Sequence, residues 1–177
     1  MTTLSNVQLV IKSNINGNKI FFMSSDYINI YNNLIKLTTN KELYVNFNKQ
    51  DTFSDRLIFF LIHFAFFLKV YKNEKNSKIL QEIYDFNFRQ LELSLREIGY
   101  GDQSINKKMK DYINLFHSII SELHFWENYS FDEKKKKFSS FLDNLKENDY
   151  LIEYFDNFKD DLSKKNLNFF LKSVSNS

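Results

Sequence analysis

Several residue types are absent or scarce in this chain of 177 residues, which has no cysteine and no proline. The absence of cysteine excludes a disulfide framework, a thiolate nucleophile and a cysteine-based metal site. Arginine is scarce too, since Arg56, Arg89 and Arg96 are the only arginines among 24 basic residues. The abundance of Phe, Tyr, Lys and Asn indicates AT-rich codons, and such a chain keeps arginine where a planar, bidentate guanidinium is needed. We therefore expect each arginine to contact a carboxylate, a helix end or a partner.

A strong charge of either sign is also absent, because 24 basic residues stand against 22 acidic ones and give a net charge of +2. This balance argues against a surface built for DNA. The apolar run from Leu57 to Leu68 is interrupted by His63 and is well short of the roughly 20 residues that a membrane span needs. The first residues show neither a transit-peptide pattern nor a signal-peptide cleavage site. We expect a soluble or peripheral protein that is not exported.

Apolar residues at helical spacing fill most of the chain and predict a mainly α fold, a single-domain helical bundle around a buried central helix. The segment from Phe53 to Tyr71 is too apolar for a surface helix, so it is the predicted central helix. Within it, the only alanine, Ala65, predicts close approach by another helix. The other predicted helices run from Tyr27 to about Thr39, from Lys78 to Ile98, from Ile105 to about Trp126, from Ser130 to about Leu145, and in one or two pieces along the tail.

The N-terminal residues 1–26 allow two interpretations. VQLVI and KIFFM flank Asn16-Gly17, the dipeptide most typical of a two-residue hairpin loop, and this pattern predicts a small β-hairpin over residues 7 to 23. Alternatively, residues 1–22 are an extension that is not native to the domain, with Met23 as the working start. Both interpretations place the helical domain at 27–177.

The turn Gly99-Tyr100-Gly101-Asp102 holds two of the chain's three glycines. A helix commonly ends at a residue with a left-handed backbone conformation, and glycine adopts that conformation at little cost. We therefore expect a helix to stop at Gly99. The next helix should restart behind Asp102, with Ser104 as its N-cap. Tyr100 would then project outward at the bend.

Lysines follow this turn closely. With Ser104 as the N-cap, three lysines would fall in the first two helical turns, where the helix dipole disfavours cations and favours bound anions. We therefore predict that an RNA phosphate, a lipid headgroup or an acidic protein surface binds there, or else that the lysines pair with nearby carboxylates. The candidate partner-binding residues are Arg56, Arg89, Arg96, Tyr100, Asp102, Lys107, Lys108 and Lys110, with Gly99 and Gly101 as the structural turn. The lysine run from Lys134 to Lys137 is interpreted as a solvated helix face.

Three histidines are the candidates for metal or haem ligation. His117 and His124 are two turns apart on one predicted helix, and His63 lies on the central helix. No Glu-x-x-His, His-Glu-x-x-His or cysteine pair accompanies them, as zinc sites and di-iron bundles require. We predict no metal, no cofactor and no catalytic residue, with a metal- or haem-binding enzyme as the least favoured alternative.

Two segments carry a resemblance to a known family. DTFSDRLIFFLIHFAFFLKV followed by LSLREIGYGDQSINKKMKDYINLFHSII resembles the ubiquinol-cytochrome c chaperone family, the assembly factors for cytochrome b of the respiratory bc1 complex. The resemblance runs from about residue 31 to 145 and is most specific in LREIGYGDQSINKKMK. The family usually has a proline before the aspartate of the first segment, where this chain has Gln50.

The resemblance implies a non-enzymatic chaperone that receives newly made cytochrome b and passes it to the assembling bc1 complex. The partners it implies are nascent cytochrome b, the ribosome near its exit tunnel and a second assembly factor. The implied location is the cytoplasmic face of a bacterial inner membrane, with peripheral membrane contact, or alternatively the mitochondrial matrix. From the residues alone, a helical module that binds lipid or a membrane surface is the alternative function, because 18% aromatic residues exceed what one core readily buries.

Overall fold

The computed structural model describes residues 18–45, 53–142 and 149–171, with side chains from residue 27 onward. The described residues form seven α-helices and no β-strand, which confirms the mainly α prediction. The helices are α1 Asn18–Leu37, α2 Phe53–Tyr71, α3 Ser77–Glu97, α4 Asp102–His124, α5 Phe131–Phe141, α6 Asp149–Ser163 and α7 Leu167–Leu171. Short 3-10 turns occupy Lys41–Tyr44, Glu74–Asn76 and Trp126–Asn128.

The predicted N-terminal β-hairpin is not supported. Its second strand, KIFFM, lies within α1, and its first strand lies outside the described residues. A continuous apolar run can form either a strand or a buried helix, and here the helical pattern that begins at Tyr27 extends back to Asn18. α1 thus crosses residue 26 without a break, so the predicted extension and the predicted domain share one helix.

Helix α2 is the centre of the core, with the bounds predicted from the sequence. It contacts α1, α4 and α6, and most of its side chains are buried. On one side, the Phe64 ring stacks on Phe116 of α4 at 5.2 Å between centroids and lies 6.5 Å from Phe88 of α3. On another side, Phe66 stacks on Phe155 of α6 at 5.4 Å. Helix α2 therefore packs directly on α4 and α6, and α3 reaches it through an aromatic ring.

Helices α3 and α4 form an antiparallel hairpin around Gly99. Tyr84 and His117 lie opposite each other, with the Tyr84 hydroxyl 3.3 Å from His117 Nε2, and Arg96 and Asp102 lie opposite each other beside the turn. In each facing pair the two residue numbers add up to about 200, as expected for antiparallel helices joined by a turn near residue 100. The position of the turn therefore determines which residues of α3 and α4 face each other. This register positions the candidate site.

Lysines of α5 form ion pairs with neighbouring helices, although the sequence predicts that they lie on a solvated face. Lys134 Nζ lies 2.9 Å from an Asp156 carboxylate oxygen on α6, and Lys137 Nζ lies 2.6 Å from Glu122 on α4. Lys135 pairs with Asp149. Only Lys134, with 14% of its side chain exposed, departs clearly from the predicted solvated face, whereas Lys135 and Lys137 form ion pairs and stay about one third exposed. Carboxylates of two other helices come within reach of this run only in the folded chain.

Candidate partner-binding surface

The end of α3 is closed by a left-handed glycine. Gly99 has a φ of 98°, which confirms the predicted helix stop. The Gly99 amide donates to the Arg96 carbonyl at 3.0 Å, and the Tyr100 amide donates to the Leu95 carbonyl at 3.3 Å. These two bonds make a Schellman motif, in which the last carbonyls of the helix accept from the turn.

The start of α4 differs from the prediction. The N-cap is Gly101, whose carbonyl accepts from the Ile105 amide at 3.0 Å, and Ser104 lies inside the first turn. The predicted cap at Ser104 is therefore wrong. The lysines that follow lie beyond the first turn, where the helix dipole has largely fallen off, while Asp102 occupies the first turn with the favoured sign. Unfavourable helix-end electrostatics thus give no support for anion binding here.

Arg96 joins the two helices across the turn. Its guanidinium donates to Glu92 at 2.9 Å on its own helix and to Asp102 at the start of α4. Glu92 and then Asp102 raise the pKa of Arg96 above its ordinary value. The carboxylate contact predicted for this arginine is present. Because the side chain is exposed, we assign it a role in fixing the turn rather than in overall stability.

Beside the turn lies a surface that combines an aromatic ring with cations, which we call the corner and define as Tyr100, Lys107 and Lys108. Tyr100 is exposed, as predicted, and Lys108 Nζ lies 4.7 Å from the centre of its ring. That distance is within the range of a cation–π contact. Lys107 is exposed and has no ion pair with any described residue. The corner therefore offers an aromatic face and two positive charges that no described carboxylate neutralises.

The other predicted residues divide into two places. Arg89 and Lys110 line a groove between α3 and α4, and both are exposed. Arg89 forms no ion pair with a described residue, so the carboxylate contact is not observed at this position and the contact with a partner stays a prediction. Arg56 lies apart, in the first turn of α2, in a narrow cleft that Tyr31 of α1 and Ser94 of α3 also line.

The floor of the groove includes apolar residues of both helices. Met109 and Ile113 are half-buried and line it together with Tyr84 and Phe88. Their helical spacing predicts an apolar face but not whether another helix covers that face. Their position in the groove follows from the antiparallel register around Gly99, which places residues of α3 on one wall and residues of α4 on the other.

His63 is engaged on both ring nitrogens and is fully buried. Nδ1 lies 2.7 Å from the Phe59 carbonyl, which can only accept, so Nδ1 carries the proton. Nε2 lies 2.9 Å from the Tyr154 hydroxyl and accepts from it. Burial lowers the pKa of His63 from 6.5 to about 4 and raises that of Tyr154 to about 12, so both groups are neutral at physiological pH.

The predicted alternative of a three-histidine ligand set is not formed. His117 and His124 are exposed on α4, while His63 is enclosed by aromatic rings of α6. Nowhere in the described ranges do three or more metal-binding side chains come together. Among these same residues, no helix is both long enough and apolar enough to cross a bilayer.

Residues 45–124 match the family model described as Ubiquinol-cytochrome C chaperone. The matched range runs through α2 and α3 to the end of α4, so it contains the corner, the groove and the Gly99 turn. The match confirms the resemblance seen in the sequence, over a shorter range. It indicates a chaperone role in assembly of the bc1 complex and implies a non-enzymatic protein. No curated protein and no solved structure gave a significant match.

Proposed function

We propose that this protein is an assembly factor that binds newly made cytochrome b and supports its incorporation into the bc1 complex. The observation that carries the proposal is the family match over the three helices that form the core hairpin and its central support. The described residues add surface features suited to a protein client. These are exposed apolar side chains, unpaired cations and a turn fixed by hydrogen bonds.

The corner is the proposed contact for the client. Tyr100 supplies a flat apolar ring, and Lys107 and Lys108 supply charge that a client or a ribosomal surface could neutralise. Ile98 at the end of α3 is 55% exposed and extends the apolar area beside Tyr100. Aromatic residues such as Tyr are enriched at protein–protein interfaces, and exposed charge beside them attracts a partner of opposite charge. We place the protein's work at the membrane where cytochrome b is inserted, with a second assembly factor and the ribosome as further proposed partners.

Deletion and complementation test the function. Cytochrome b and bc1 activity should both fall when the gene is deleted, while other respiratory complexes persist, and the intact gene should restore them. The double variant Lys107→Glu with Lys108→Glu should restore them poorly, because charge reversal turns attraction for an acidic partner into repulsion. Normal bc1 levels after deletion contradict the proposal.

A matched variant separates the corner from charge in general. Lys75→Glu with Lys78→Glu makes the same charge change at the opposite end of α3, where both lysines are exposed. This control should restore bc1 activity fully. Full restoration by both pairs, with circular dichroism showing that the corner variant is folded, would mean that the client binds elsewhere.

Ribosome contact has its own readout. Co-sedimentation with translating ribosomes should require Lys107 and Lys108, and should weaken as salt is raised, because exposed charges are screened over about 10 Å at 0.1 M. Binding that is unchanged in the corner variant would remove the ribosome from the partners proposed for this surface.

A further inference from the structure

The groove between α3 and α4 has an apolar floor and is open along its length. Tyr84 and Phe88 contribute from α3, and Met109 and Ile113 contribute from α4. It follows α4 from Asn106 to Asn114, about 13 Å at the rise of an α-helix, which suits two to three helical turns of a partner. Two antiparallel helices side by side present a groove of the width into which a third helix packs.

The walls of the groove carry two cations, one on each helix. Arg89 on α3 and Lys110 on α4 lie at the same level of the antiparallel register, and neither forms an ion pair with a described residue. Of the acidic residues on the walls, Glu92 is paired with Arg96, whereas Asp85 accepts from the neutral side-chain amide of Gln81 at 2.9 Å and keeps its charge. The two cations without an ion pair among the described residues therefore outnumber the one carboxylate without an ion pair, and they lie on both sides of the apolar floor.

Arginine at position 89 adds a second argument. Only three of the 24 basic residues are arginine, and Arg96 shows what a retained guanidinium does when it has a carboxylate to bind. Arg89 has the same side chain with no carboxylate partner among the described residues. A planar guanidinium binds a carboxylate in a bidentate manner that lysine does not reproduce, so the missing partner is best supplied by another protein.

We propose that this groove holds one amphipathic helix of a protein partner, whose apolar face lies on the floor and whose acidic side chains flank that face and reach Arg89 and Lys110. This inference deepens the proposed function by naming the kind of segment that the chaperone binds, and it rests on that function for the partner's identity. The chemistry of the groove itself does not depend on which protein supplies the helix.

Two synthetic peptides test the proposal with the full-length protein. Each is an amphipathic sequence of about 20 residues with leucines at i, i+3, i+4 and i+7, which exceeds the length of about 12–15 residues below which an isolated helix is marginal in water. One carries glutamates on both flanks of the leucine face, and the other carries lysines there. Fluorescence anisotropy should show that the acidic peptide binds at least about tenfold more tightly than the basic one, and that added salt reduces the difference.

A charge-reversal variant identifies the groove as the binding site. Arg89→Glu with Lys110→Glu should weaken binding of the acidic peptide about tenfold or more, whereas Lys75→Glu with Lys78→Glu should leave it nearly unchanged. Folding should survive in the groove variant, because both side chains are exposed and without an ion pair among described residues. Circular dichroism checks this.

Either of two results overturns the inference. One is equal binding, or no binding, of the two peptides, and the other is a groove variant that binds the acidic peptide as the unmodified protein does. The peptide assay contains no cytochrome b, so its outcome is separate from that of gene deletion. Normal bc1 assembly in the deletion would remove the proposed function while leaving a positive peptide result in place.

Discussion

The left-handed backbone of Gly99 allows α3 to end and α4 to begin within four residues. Its φ of 98° is a conformation that side chains with a Cβ adopt only at a cost. A Cβ built on Gly99 or on Gly101 would meet nothing within 4 Å, so space is not the constraint at either glycine. The difference between them is one of backbone conformation alone, since Gly101 has a φ of −74°.

Alanine substitution should therefore separate the two glycines. Gly99→Ala should lower the free energy of unfolding by about 1 kcal/mol, because the methyl group disfavours the left-handed region. Gly101→Ala should change it by less than about 0.5 kcal/mol, since loss of chain entropy in the unfolded state offsets a weaker N-cap. Urea denaturation measures both, and equal effects would show that the left-handed conformation does not control the turn.

His63 should give the protein an acid sensitivity of its own. The folded histidine has a pKa of about 4 against 6.5 when unfolded, so between these values the unfolded state binds more protons. The free energy of unfolding should then fall as the pH falls below 6.5, by up to roughly 3 kcal/mol once the pH is below both pKa values. Above 6.5 neither state is protonated and the effect vanishes.

The measurement compares slopes rather than absolute stabilities. Urea unfolding between about pH 4 and 7 should give a flatter dependence on pH for His63→Gln than for the unmodified protein, because the titrating group is gone. His117→Gln, the same substitution at an exposed histidine of α4, is the matched control for the change of side chain. Carboxylate titration is common to all three proteins and cancels in the differences.

At the scale of elements, the two N-caps show what a local pattern can and cannot predict. Ser130, the predicted start of a helix, forms a capping box with Glu133, and the Ser130 amide donates to Glu133 at 2.7 Å. Ser104 offered a similar signal and is not a cap, because Gly101 starts α4 three residues earlier. A serine before an apolar run is therefore an N-cap only where no earlier residue already starts the helix.

Alanine at the two serines distinguishes a cap from a residue inside a helix. Ser130→Ala should lower the free energy of unfolding by about 1 kcal/mol, because it leaves a backbone amide of α5 without its acceptor. Ser104→Ala should be neutral or slightly stabilising, since alanine has the higher helix propensity. A loss at Ser104 equal to that at Ser130 would contradict the observed start of α4.

The helices that the sequence predicts well have either a residue with a physical reason to end a helix or a composition that suits only one environment. The end of α3 was predicted within one residue because Gly99 has a physical reason to stop a helix, and α2 was predicted because its composition suits only a core. The start of α1 was missed because apolar runs have no periodicity that separates strand from helix. Which carboxylates reach Lys134 and Lys137 depends on helix packing, which a single sequence does not encode locally.

The candidate site was predicted in the same uneven way. The turn and the exposure of Tyr100 follow from local rules, and both are observed. The groove was not predicted, because Met109 and Ile113 satisfy a helical apolar pattern whether or not another element covers them. The folded structure is needed to show that the apolar surface between α3 and α4 is not covered by any other described element.

For the whole molecule, the core extends beyond the range that matches the family. Residues 45–124 contain α2, α3 and α4, but α2 is also covered by α1 and α6, which lie outside that range. Phe155 of α6 is fully buried, stacks on Phe66 at 5.4 Å and lies 5.2 Å from Phe138 of α5. The segments outside the match are therefore structural parts of the same folding unit.

Substitution of two phenylalanines tests whether the C-terminal helices belong to that unit. Phe155→Ala should lower the free energy of unfolding by about 3–5 kcal/mol, because it opens a cavity between α2, α5 and α6. Phe169→Ala, the same change at a side chain that is 55% exposed on α7, should cost less than about 1 kcal/mol. If the alanine variant of Phe155 does not fold, Phe155→Leu keeps part of the volume and provides a measurable intermediate. A single cooperative unfolding transition, with a large loss of unfolding free energy for Phe155→Ala, supports a single core. A small loss of unfolding free energy, with the helicity of α2 to α4 unchanged, would mean that the matched region folds without α6.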